Sequence, residues 1–112
     1  YHSRLMQSAQ DALAPKLAAV PMQAPAIPVV CNFAAKAVSE PTEIRSMLEN
    51  QVTGSVRWTE SIQTLIAMGH RQFIELGPGK VIAGLVAKID KDATVISVED
   101  LPSLEAAIQQ LA

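Results

Sequence analysis

The sequence predicts an α/β fold: a parallel sheet with helices packed over it. Three observations carry this. Helix-periodic and strand-like segments alternate along the chain. Two five-residue strand-like segments, 72–76 and 94–98, are each followed by a stretch with apolar residues at helical spacing. Between the first run and its helix stands Gly77-Pro78-Gly79, a tight strand-to-helix turn.

In order, residues 3–20 predict a helix whose apolar stripe is Leu5, Met6, Ala9, Leu13, Leu17 and Val20. Ser3 is placed to cap it, and Pro15 predicts a kink or an early end. Prolines 21, 25 and 28 punctuate a connector. The run 27–33 suits a buried strand, and 34–40 a loop. Pro41 opens a helix to Asn50 that turns Ile44, Met47 and Leu48 inward. A turn around Gly54 follows, then a helix over 59–68 stopped by Gly69. After the 72–76 strand come a helix over 80–89, the 94–98 strand and a final helix over 102–111. No repeat, low-complexity tract or clear linker interrupts the 112 residues, so 1–112 is read as one domain's worth or part of one.

Composition removes several function classes. The chain is 49% hydrophobic and 18% charged with a formal net charge of −2, an ordinary globular profile. Its nine Lys and Arg are scattered and only 4% of residues are aromatic, so no nucleic-acid partner is expected. No apolar stretch approaches the roughly 20 residues of a membrane span, so no membrane is expected either. One cysteine excludes an internal disulfide, and one cysteine with two histidines gives little basis for a metal site. A reducing, cytoplasmic setting is the simplest reading. The opening Tyr1-His2-Ser3-Arg4 has no initiator Met and no signal-peptide pattern, and is read as the start of a piece cut from a longer chain.

Few residues invite chemistry on their own. His2 precedes a helix start, whose positive end disfavours an imidazolium and suits a neutral base. The simpler account is a frayed terminal histidine, since a base needs a nucleophile and no Gly-x-Ser-x-Gly elbow is present. Gly77-Pro78-Gly79-Lys80 either offers backbone N–H groups to an anion or is a plain turn using glycine's backbone freedom; it lacks the spacing of a P-loop. Cys31 reads as a small buried hydrophobe, His70 as a solvated loop residue, and Glu99-Asp100 as a helix cap before Pro102. Trp58 reads as a packing anchor under a stacked Arg57.

Four segments in order nevertheless resemble one family. Tyr1-His2-Ser3-Arg4-Leu5-Met6 is similar to the aromatic-His-Ser segment of malonyl-CoA:acyl carrier protein transacylases. Residues 27–32 are similar to its IPVVSN strand, with Cys31 in place of Ser. Residues 51–58 resemble its Q-(L/V)-x-x-P-V-x-W segment, with Ser55 where Pro is usual. Residues 73–85 resemble its F-I-E-(L/I)-G-P-G-K-V-L-x-G-L stretch. Together they cover nearly the whole chain.

The resemblance implies the C-terminal portion of an α/β-hydrolase-like large subdomain. The serine elbow, the arginine that pairs with malonate and the ferredoxin-like small subdomain would all lie upstream. It implies that His2 is the catalytic base and that the backbone carbonyl of Gln51 orients it. It further implies that Tyr1 favours malonyl over methylmalonyl by filling the space of an α-methyl. The implied substrates and partners are malonyl-CoA, acyl carrier protein and the missing N-terminal part of the same enzyme. No cofactor is implied, because the CoA thioester is itself the substrate. Acyl carrier protein is acidic, which makes Arg4, Arg57, Arg71, Lys80 and Lys88 docking candidates. Two other readings are an acyltransferase segment of a polyketide or multifunctional fatty acid synthase, and a non-catalytic α/β binding module. Alone, the piece is expected to be inactive and to expose apolar faces of its sheet.

Overall fold

Helix and strand alternate in the second half of the chain but not the first, and the strands of the described residues sort into two separate pairs. The computed structural model describes residues 2–112 and forms two units, one running to Thr64 and the other Leu65–Ala112.

In the first unit the chain enters through a 3-10 turn, Arg4–Met6, and continues as α1 (Gln7–Ala19). Ser3 caps this entry: its Oγ accepts from Leu5 N–H at 3.3 Å. Pro15 neither breaks nor ends α1. The bond it removes is the one to the carbonyl of Asp11, an exposed residue whose carbonyl water can serve. The expected stripe is only half used. Met6, Ala9, Leu13 and Leu17 are half-buried, whereas Leu5 and Val20 are exposed, and no residue of α1 is fully buried.

The strand expected over 27–33 shrinks to β1 (Val29–Val30). Pro28 has no N–H for a ladder, and Ile27 on its far side is exposed. Part of the expected 34–40 loop is instead a strand, β2 (Ala37–Val38), antiparallel to β1 with Val29 opposite Val38. The chain reverses between them with Ala35 in the left-handed region at φ 54°. Ala35 N–H donates to Cys31 O, and Thr64 Oγ1 donates to Ala35 O at 2.7 Å. The helix α2 (Pro41–Asn50) starts on Pro41 as read, and α3 (Trp58–Ala67) follows. Cys31, Val38 and Ile44 form the core, with Met22, Val29, Met47 and Leu48 packed on it. Cys31 is thus the buried hydrophobe expected. The Arg57 guanidinium bonds Glu60 and donates to Ala34 O.

The second unit is a strand-helix-strand-helix run: β3 (Gln72–Leu76), α4 (Val81–Ile89), β4 (Thr94–Val98) and α5 (Leu101–Leu111). The two strands are parallel, with Gln72 opposite Thr94 and Leu76 opposite Val98. The ladder is extended at both ends by Thr94 N–H to Arg71 O and Gly77 N–H to Val98 O. Val86, Ile96 and Ala107 are its buried apolar residues. The β3 strand inverts the usual alternation: Glu75 is buried at 9% exposure, while Ile74 and Leu76 are exposed at 49% and 79%. Asp100 caps α5 in a capping box with Ser103, as the Glu99-Asp100 pair before Pro102 predicts.

Candidate functional site

The first unit brings together two of the three residues expected to matter. His2 Nδ1 lies 2.7 Å from the backbone oxygen of Gln51, across 49 residues of sequence. Tyr1 lies outside the described residues.

Each partner is placed by a helix end. His2 stands immediately before the Ser3 cap, in the left-handed region at φ 59°, a conformation that costs a non-glycine residue about 1–3 kcal/mol. Gln51 is the C-terminal cap of α2. The last carbonyls of a helix have no partner within it and carry its partial negative charge. Gln51 O is such an oxygen, and His2 supplies the donor it lacks.

That contact fixes the ring. A carbonyl only accepts, so Nδ1 carries the hydrogen and Nε2 presents a lone pair. The ring is exposed, leaving Nε2 open to a substrate or another group. The arrangement is an imidazole held at one nitrogen by a backbone oxygen, with the other nitrogen open to solvent.

The second candidate, Gly77-Pro78-Gly79-Lys80, is occupied from within. Glu75 accepts from the N–H groups of Ile82 at 3.1 Å and Ala83 at 3.2 Å, and from Ser97 Oγ at 3.2 Å. Glu99 accepts from Gly79 N–H at 2.8 Å. The donors an anion would seek at the start of α4 are held by the chain's own carboxylates. Gly77 and Gly79 serve the turn, at φ 132° and 85°. Beside it, Lys80, Ser97, Ser103 and Gln110 help line an open cavity of about 280 Å³.

Residue-level reading missed Glu75 as a structural carboxylate. Its signal was a lone charge within Phe73-Ile74-Glu75-Leu76, just before a glycine turn that opens a helix. Of the docking candidates, Arg57 is paired with Glu60, and Arg71 lies 3.9 Å from Asp90. Arg4, Lys80 and Lys88 are exposed. His70 is exposed, as read. Among the described residues no cluster of three or more His, Cys, Asp or Glu is arranged to hold a metal, and no helix is long and apolar enough to cross a membrane.

No protein-family model matches the chain. The malonyl CoA-acyl carrier protein transacylase of Bacillus subtilis (strain 168) is 40% identical over 111 residues, 99% of this chain and 35% of that protein. The crystal structure of acyl-carrier-protein-S-malonyltransferase from Bartonella henselae superposes with a TM-score of 0.88 at 40% identity. That match covers 98% of this chain and 35% of the other. The chain belongs to the malonyl-CoA:acyl carrier protein transacylase family. It spans about 35% of the length of the relatives it matches. A third transacylase, PlMCAT, is seen in complex with AntF, a type II PKS acyl-carrier protein. It matches 97% of this chain and 35% of its own, with a TM-score of 0.87 at 35% identity. The transacylase fold of these neighbours is α/β, and this chain, with its helices and its parallel β3–β4 pair, matches about 35% of it.

Proposed function

We propose that residues 1–112 are the histidine-bearing C-terminal part of the large subdomain of a malonyl-CoA:acyl carrier protein transacylase, acting in the cytoplasm. The observation that carries this is the 2.7 Å contact between His2 Nδ1 and Gln51 O, which leaves Nε2 as a base.

The reaction is a covalent exchange in two steps. A serine hydroxyl, on an elbow outside this chain, gives its proton to His2 Nε2 as its oxygen attacks the malonyl thioester carbonyl. The carbon–sulfur bond breaks, the proton passes from the imidazolium to the departing CoA sulfur, and a malonyl-serine ester remains. The phosphopantetheine thiol of acyl carrier protein then gives its proton to Nε2 and attacks the ester. The proton returns to the serine oxygen as it leaves. Gln51 O, at the negative end of α2, supports the ring while it is charged. It takes the place of the carboxylate in a Ser-His-Asp triad. The CoA thioester is substrate, and the mechanism uses no resident cofactor.

Tyr1 is the selectivity residue in this reading. An aromatic ring at this position can fill the space an α-methyl would need, a preference of about 1–3 kcal/mol, the range for one methyl group judged by packing. The leading setting is fatty acid synthesis; the PlMCAT–AntF complex, a transacylase with a type II PKS acyl-carrier protein, supports polyketide synthesis as the alternative.

The test begins with intact-mass analysis of the purified protein, for a polypeptide that carries Gly-His-Ser-x-Gly together with this segment. Malonyl transfer to holo acyl carrier protein is then measured for that polypeptide and its His2→Ala variant. The expected result is a malonyl-serine adduct and a loss of about 10²–10⁴-fold in the variant. Wild-type rates in His2→Ala, or measurable transfer by the 112-residue chain alone, would overturn the assignment.

A further inference from the structure

The contact between His2 and Gln51 joins two segments far apart in sequence, so something must hold them in register. Apolar packing alone is a weak means. The helix that follows His2, α1, has no fully buried residue, and its inward side chains are only half-buried. What ties α1 to α2 and the turn after it is polar. Thr53 Oγ1 donates to Gln10 Oε1 at 2.5 Å, a half-buried bond across 43 residues. At the other end of the helix pair, Arg45 donates to Leu17 O.

The Thr53 end is itself rigid. Gly54 N–H donates to Asn50 O at 2.9 Å, and Gln51 N–H to Met47 O at 3.0 Å. A Cβ built on Gly54 would stand 2.4 Å from the Phe33 ring and 2.8 Å from Asn50 O, so the turn is closed from both sides. Thr53 is two residues from Gln51 on this closed turn, and Gln10 is on the first turn of α1 beyond the His2 entry. A bond between them sets where the Gln51 carbonyl stands relative to the imidazole.

We propose that Gln10 and Thr53 are a positioning pair: their side-chain bond holds the Gln51 carbonyl against His2 Nδ1 and thereby fixes the tautomer of the ring. The functional importance of the pair rests on the reading of His2 as the base. The tautomer itself does not, and it is read separately.

The experiment is ¹⁵N NMR of histidine-labelled protein, with the His2 ring assigned as the signal lost in a His2→Gln variant. Long-range proton–nitrogen correlations report which ring nitrogen carries the hydrogen. The expected wild-type signal is Nδ1–H alone. Thr53→Val and Gln10→Ala are each expected to give a mixture containing Nε2–H, and Thr53→Ser, which keeps the hydroxyl, to restore the wild-type signal. A role confined to stability would lower the melting temperature in the variants and leave the tautomer unchanged, and that result overturns the proposal. So does a wild-type ring protonated at Nε2. Should Thr53→Val fail to fold, Gln10→Ala, a truncation on a helix with no fully buried residue, decides the matter. If the tautomer responds as expected while the longer polypeptide transfers no malonyl, the positioning pair stands and the catalytic assignment falls.

Discussion

Replacing Glu75 with Ala tests the carboxylate that holds the start of α4. The side chain is 9% exposed and accepts three hydrogen bonds, at 3.1, 3.2 and 3.2 Å. These are long for charge-assisted bonds, so each is weighed at about 1 kcal/mol rather than the 1.5–3 of short ones. Losing the negative charge beside a helix N-terminus adds about 0.3–1 kcal/mol. Relief from holding a carboxylate out of water offsets part of the sum, leaving a loss of about 2–3 kcal/mol. Trp58, the chain's one tryptophan, lies in the first unit, so its fluorescence is a poor reporter. Amide hydrogen exchange is the assay. Ile82 and Ala83 should exchange at least roughly thirtyfold faster, the equivalent of about 2 kcal/mol, while the amide of Ile44 in the first unit is unaffected. Glu75→Gln keeps one acceptor oxygen but turns its NH₂ toward N–H donors, and should fall between the two. Wild-type exchange at Ile82 and Ala83 in Glu75→Ala would refute the reasoning and return the Gly77-Pro78-Gly79 turn to the list of anion sites.

Two further expectations concern the two units separately. Gly54→Ala forces a methyl against Phe33 and Asn50 O, an overpacking cost of about 1–3 kcal/mol. The gain of about 0.4–1 kcal/mol from a stiffer unfolded chain offsets part of it. Urea unfolding followed by Trp58 fluorescence should show a net loss, and a stabilised variant would mean that Phe33 swings clear. In the second unit, the Asp100 carboxyl is held below its ordinary range, first by the Ser103 hydroxyl and then by the Ser103 N–H. Its folded value lies below its unfolded one, so the cap contributes above the ordinary carboxylate range and is lost as pH falls through the lowered value. Protection of the Ser103 amide, taken relative to its intrinsic exchange rate at each pH, should therefore fall on acidification, and Asp100→Asn, which keeps an acceptor oxygen, should remove that acid step.

The sequence was legible where local chemistry decides the outcome. Pro41 at a helix start, Asp100 before Pro102 and the strand-like 72–76 and 94–98 segments each predict an element that is present within a residue or so. The β2 strand was not legible, because it is only two residues long and one of them, Ala37, carries little strand preference. They pair because Ala35 adopts a left-handed conformation that no glycine or asparagine advertises. The burial of α1 was over-read: six apolar positions at helical spacing predict a covered face, and two of them, Leu5 and Val20, face water. For the site, the resemblance singled out His2 and Gln51, but spacing cannot show that residues 49 apart touch. The Gln10–Thr53 bond left no trace in the sequence, since neither residue type in its segment requires a partner.

Because the oxygen beside His2 belongs to the main chain, the acceptor that holds the ring is written in no codon. A search for a Ser-His-Asp set finds no acid to pair with the histidine. A saturation scan of position 51 would return a tolerant profile for all substitutions that keep the end of α2 in place. The groups that betray it genetically lie next door, where a side chain controls the path of the backbone. A map of mutational sensitivity over this segment would therefore be brightest at Gly54 and dim at Gln51, the residue whose atom does the holding.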